Sequence, residues 1–176
     1  GPPCLSIAIL RWHRDTKEPV LFGGKVNLEQ FPKMQQGGLR QFLKMISRAV
    51  VKNAKPEVRH MVEVKEYGRY RCFYYLRTSG IAAVMVTQSS YKVRVAFSVI
   101  NDMLDRFEQT YPNPAVWRHC VKDMGVKCPF ANDVFARAQT PARYDKLSEA
   151  QEKFNSVKVQ MHKTLESCLE RGESLE

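Results

Sequence analysis

Hydrophobic and polar positions change period several times along the chain, and each change marks an element. Leu5–Leu10 and Val20–Phe22 are short apolar runs separated by the turn-prone Asp15–Pro19 stretch, which predicts a first hairpin. From Gly37-Gly38 the spacing shifts: Leu39, Phe42, Leu43, Ile46 and Val50 follow one face of an amphipathic helix that stops near Asn53, before Pro56. Three strands come next. Val58–Val64 puts Val58, His60, Val62 and Val64 on one side, Tyr70–Leu76 is aromatic-rich, and Ile81–Thr87 is apolar on both alternating faces. The turns at Tyr67-Gly68 and Thr78–Gly80 are short, so these strands form an antiparallel meander with Ile81–Thr87 in its centre. After Ser89-Ser90, the spacing of Val93, Ala96, Phe97, Ile100, Leu104 and Phe107 predicts a second helix. Residues 111–130 are proline-punctuated and lack periodicity, which predicts a loop, and a short helix follows near Val134–Ala138. Two strands, a helix, three strands and a helix define an α+β fold: a five-stranded antiparallel sheet with helices on both faces, occupying residues 1–140.

Beyond Thr140-Pro141 the period becomes that of a coiled coil. Leu147, Ala150, Phe154, Val157, Met161, Thr164, Cys168, Arg171 and Leu175 succeed one another at alternating steps of three and four. As one helix this seam would run about 43 Å. It is poorly stable alone and is built to be buried against other helices. Arg171 is the informative member. A guanidinium is always charged and brings five donors, so within an apolar seam it requires acceptors from the partner helices in its own layer. Such a layer also fixes register.

Composition narrows the classes. Of the 176 residues 44% are hydrophobic, enough for a core, and no apolar run approaches the roughly 20 residues of a membrane span. Cys4, Cys72, Cys120, Cys128 and Cys168 are scattered and form no CxxC pair, which argues against a disulfide framework or a zinc site. The chain reads as cytosolic. The formal charge of +10 is uneven, because residues 147–176 hold four cations and six carboxylates while the rest is strongly basic. A basic body of this kind suits its own acidic segment, an acidic lipid surface or nucleic acid, and charge alone does not choose. Arg69–Tyr75 interleaves basic and aromatic residues like a weak nucleic-acid platform. An ordinary aromatic-rich strand explains it better. The four histidines and five cysteines form no nucleophile elbow, P-loop or HExxH pattern, so no enzymatic role and no metal is expected.

The segment Leu165–Leu175 (LESCLERGESL) resembles the centre of an R-SNARE motif, with its arginine followed by Gly-Glu. The order of elements before it resembles a longin (profilin-like) domain, and Tyr91–Phe97 resembles the start of that domain's second helix. The likeness spans nearly the whole chain, is clearest over 56–110 and 144–176, and is poor over 111–130. It is nearest to the lipid-anchored, prenylated and palmitoylated longin R-SNAREs of Golgi, endosomal and vacuolar traffic.

What the resemblance implies is specific. Residues 141–176 would be the N-terminal half of a SNARE helix that zips with three glutamine-type helices (Qa, Qb and Qc), with Arg171 facing three glutamines. The family's C-terminal half-motif and lipidated cysteines are missing after Leu175, as in a shortened chain, so the membrane attachment expected of the native protein would be absent here. A groove between the first helix and the third strand, formed by Phe42, Met45, Ile46, Ala49 and Met61, would receive either the chain's own SNARE segment or a prenyl or acyl chain, and would thereby regulate fusion by autoinhibition. The other roles weighed are a basic nucleic-acid-binding module and a longin adaptor or tethering subunit. Neither explains a seam centred on arginine.

Overall fold

The structure is a computed structural model that describes residues 1–145 and 158–169. Its elements are β1 (Cys4–Arg11), β2 (Val20–Val26), α1 (Lys33–Lys52), β3 (Arg59–Val64), β4 (Tyr70–Leu76), β5 (Ile81–Gln88), α2 (Val93–Thr110), α3 (Ala131–Ala138) and β6 (Val159–His162), with 3-10 turns at Pro114–Val116 and Glu166–Cys168. The sheet has six strands in the order β2-β1-β5-β4-β3-β6. The first five pair antiparallel, and β6 pairs parallel with β3.

Strand β5 lies in the interior of the sheet, and Ile81 through Thr87 are buried without interruption. Its alternation feeds two cores. Ile81, Ala83 and Met85 join Phe22, Met61, Phe73 and the apolar stripe of α2 on one face. Ala82, Val84 and Val86 join Val62, Cys72, Tyr74 and the Leu39–Leu43–Ile46–Val50 stripe of α1 on the other. Successive strand residues point to opposite faces, so one uniformly apolar strand nucleates both layers.

Three expectations change. The sheet has six strands rather than five. Residues expected to form one continuous helix include a four-residue strand and a 3-10 turn. The reason is physical: β3 would otherwise be a sheet edge with unpaired amides and carbonyls, while a lone helix gains little stability from an unburied seam. Lastly, 111–130 is more ordered than a bare loop. Trp117 is buried against Phe22, Phe107 and the His13 ring, with centroid separations of 6.5, 5.4 and 6.1 Å. Arg11, fully buried, ties this segment down by donating from Nε to the Arg118 carbonyl at 2.6 Å and pairing with Asp15.

Candidate functional site

One flank of α1 and the adjoining strands β3 and β4 form a trough whose walls are set by periodicity. The helix contributes buried Ile46 and half-buried Phe42 and Met45, with Ala49 half-buried one turn beyond Met45. The strands contribute Val62, Val64, Cys72 and Tyr74, with Tyr70 at the margin. Phe42 leans on Tyr67 with ring centroids 5.1 Å apart. Met61 is not part of this wall, contrary to expectation. Strand alternation turns it to the α2 face, where it is fully buried in the other core. Val62 and Val64 take the role assigned to it, because α1 covers their side of the sheet.

The trough is filled from within the chain. Leu165 and Cys168 are buried in the α1-side core, 2% and 6% exposed. The turn carrying them is self-capped: the Ser167 hydroxyl donates to the Thr164 carbonyl at 2.7 Å, and the Cys168 amide to the Leu165 carbonyl at 3.0 Å. Tyr74 donates its hydroxyl towards the Cys168 sulfur. Burial is the first cause raising the pKa of both groups, and that of the neighbouring Cys72. Both thiols are therefore protonated packing groups here.

Just outside the trough, β6 lies on β3 with Met161 opposite Met61 and His162 opposite Val62. A short polar relay joins the strands. The Lys55 amide donates to His60 Nε2 at 3.2 Å, and His60 Nδ1 meets His162 Nε2 at 3.2 Å. Because His60 Nε2 is an acceptor, its proton sits on Nδ1 and is offered to an unprotonated His162 Nε2. His60 is also stacked on Tyr74, ring centroids 4.7 Å apart and nearly parallel. Burial is the first cause lowering the His60 pKa, to about 4, and the nearby His162 and Lys55 charges act in the same direction. Burial lowers that of His162 too. The arrangement therefore requires both imidazoles neutral.

The coiled-coil seam is split. Met161 is 66% exposed and Thr164 is exposed, while Cys168 is buried in the trough. Leu147, Ala150, Phe154, Val157, Arg171 and Leu175 lie outside the described residues. Sequence reasoning missed Leu165 and His162 as site residues. Leu165 is out of phase with the heptad seam, and His162 falls on its polar flank. His60 carried a signal, since it shares a strand face with Val62 and Val64. Among the described residues no three His, Cys, Asp or Glu side chains gather as metal ligands, and no helix is long and apolar enough to cross a membrane.

A mixed sheet flanked by α1 on one face and α2 with α3 on the other, with a trough beside α1, is the architecture of a longin domain. The regulated-SNARE-like longin domain family matches residues 28–131, and the chain belongs to it. Its relatives sharpen the class. The chain is 28% identical over 171 residues to the VAMP-like protein YKT61 of Arabidopsis thaliana, covering 97% of this chain and 83% of that one. It is 31% identical over 172 residues to the synaptobrevin homolog YKT6 of Eremothecium gossypii, with the same coverages. With the Saccharomyces cerevisiae synaptobrevin homolog YKT6 it shares 26% identity over 151 residues, 85% of this chain and 74% of that one. It is a longin R-SNARE of the Ykt6 type, a protein of vesicle traffic.

Proposed function

We propose that the longin domain controls the SNARE segment by competing for it. In the closed state residues 158–169 lie on β3 and in the α1 trough. In the open state residues 147–175 form a continuous helix and zip with Qa, Qb and Qc partner helices, Arg171 facing three glutamines. The two states exclude each other because residues 159–162 cannot be a strand on β3 and a helix in a bundle at once. The observation that carries this reading is the burial of Leu165 and Cys168 beside α1 while Met161, from the same seam, faces solvent.

A prenyl or acyl chain, where the protein carries one, is the alternative occupant of the trough. It would replace Leu165 and Cys168 against Phe42, Met45 and Val62, whose adaptable apolar surface suits such a guest. Lipidation would then hold the open form on the cytosolic face of Golgi, endosomal or vacuolar membranes.

The test is the rate of entry into a ternary complex with glutamine-type SNARE helices. Leu165→Glu, Phe42→Glu and Met45→Glu each place a carboxylate in the trough, and each is expected to speed entry at least tenfold with the longin domain still folded. Unchanged entry in all three folded variants contradicts the switch.

A further inference from the structure

The other flank of α1, away from the trough, holds a second recess. It opens between α1 and strands β1 and β2, has a volume of about 480 Å³, and is rimmed by Lys25, Arg40, Lys44 and Arg48. Helix α1 carries five cations and no carboxylate. Two of the five are spoken for: Arg48 pairs with Asp123 and Lys52 with Glu18. Arg40 and Lys25 have no ion pair among the described residues, and Lys44 acts on Asp123 only as a more distant charge.

Beside these cations the chain holds apolar side chains out into water. Met124, which faces the recess, is 62% exposed, and Val116 and Val121, from the same 111–130 segment, are 59% and 63% exposed. Met124 has φ of 60°, a left-handed conformation unfavourable to a methionine. It is held there by a brace. The Met124 amide donates to the Leu21 carbonyl at 2.7 Å, the Leu21 amide donates to Asp123 at 3.0 Å, and Arg48 grips both Asp123 oxygens at 3.2 and 3.0 Å. Packing gains nothing from a strained methionine in solvent.

From this juxtaposition we infer that the α1–β2 flank is a docking face for an anionic membrane surface. Arg40, Lys44 and Lys25 meet acidic headgroups, and Met124 and Val121 enter the headgroup–acyl boundary. A nucleic acid would want exposed aromatic rings for stacking; Trp117 is buried, and no exposed large apolar side chain of this loop is aromatic. The inference is independent of the closed-state reading, since the trough and this face lie on opposite flanks of α1, so the chain can dock with its SNARE segment still held.

The experiment is co-sedimentation of the full chain with phosphatidylcholine vesicles, with and without phosphatidylserine. Binding to acidic vesicles should exceed binding to neutral ones at least tenfold and fall as salt is raised. Arg40→Glu with Lys44→Glu should weaken it by twentyfold or more, at roughly fivefold per cation lost. Met124→Gly should weaken it several-fold while raising the thermal midpoint, because glycine relaxes the left-handed backbone; a merely structural methionine would not give both. The face is refuted if acidic and neutral vesicles bind alike, or if the folded double variant binds as the unaltered chain does. It is equally refuted if the double variant abolishes binding of a single-stranded oligonucleotide while the unaltered chain ignores vesicles. The salt dependence of the unaltered chain decides the matter even if a variant fails to fold.

Discussion

The two faces of the sheet are finished in different ways. On the α2 face, closure comes from segments continuous with the domain: α2, α3 and the Trp117 loop seal Phe22, Met61, Phe73 and Met85 among aromatic rings. On the α1 face, closure depends on Leu165 and Cys168, contributed by a segment whose seam residues are also suited to a helix bundle. A core sealed by its own helices is permanent. One sealed by a segment with another use would, on the proposed function, be exchangeable at a cost set by a few side chains.

Deleting contacts on the two faces should therefore have different consequences. The largest effect is expected on the permanent face: Trp117→Ala or Phe107→Ala should cost about 3–5 kcal/mol of global stability, lowering the thermal midpoint by roughly 10 °C or more. Calorimetry of the folded chain checks it. Leu165→Ala should instead cost about 2–4 kcal/mol, paid locally. Amide exchange in β3 and β6 should accelerate by more than tenfold while the midpoint of the longin domain barely moves.

Acidification should sharpen the contrast. His60 and His162 must be neutral to share their hydrogen bond, and both pKa values are lowered in the closed form. The stabilisation is thus fully present above the ordinary histidine pKa of about 6.5 and is lost as pH falls towards about 4. Among the described residues, Lys55 and the stacked Tyr74 are the charged or titratable groups facing the pair, and no carboxylate there acts on either imidazole to favour imidazolium. Exchange of residues 159–162 should rise through that window and rise less steeply in His162→Gln. The smallest effect on stability is expected at Met161→Ser, within about 0.5 kcal/mol because the side chain is exposed. The same change should slow assembly with partner helices if position 161 forms a layer in the bundle, as proposed.

The five strands of the pattern stand because alternation and short turns specify them locally, and β5's apolarity on both faces marks it as interior from sequence alone. The sixth strand was not legible, because nothing in Val159–His162 outweighs the heptad spacing that runs through the same residues. Only the open edge of β3 makes a strand of them. Met61 shows a different gap. Alternation separates it from Val62, but which of the two faces α1 is decided by how the helices pack. The burial of Arg11 had no sequence signal at all, since its partners, Asp15 in the β1–β2 turn and the Arg118 carbonyl in the 111–130 segment, lie in stretches without periodicity.

In the chain alone, residues 159–162 are a parallel strand on β3. Nuclear Overhauser contacts between backbone protons test it most directly. Cross-strand contacts are expected to link Arg59–Val62 to Val159–His162 in the register that sets Met61 against Met161. Helical contacts running from 159 through 168, with none to β3, would contradict it.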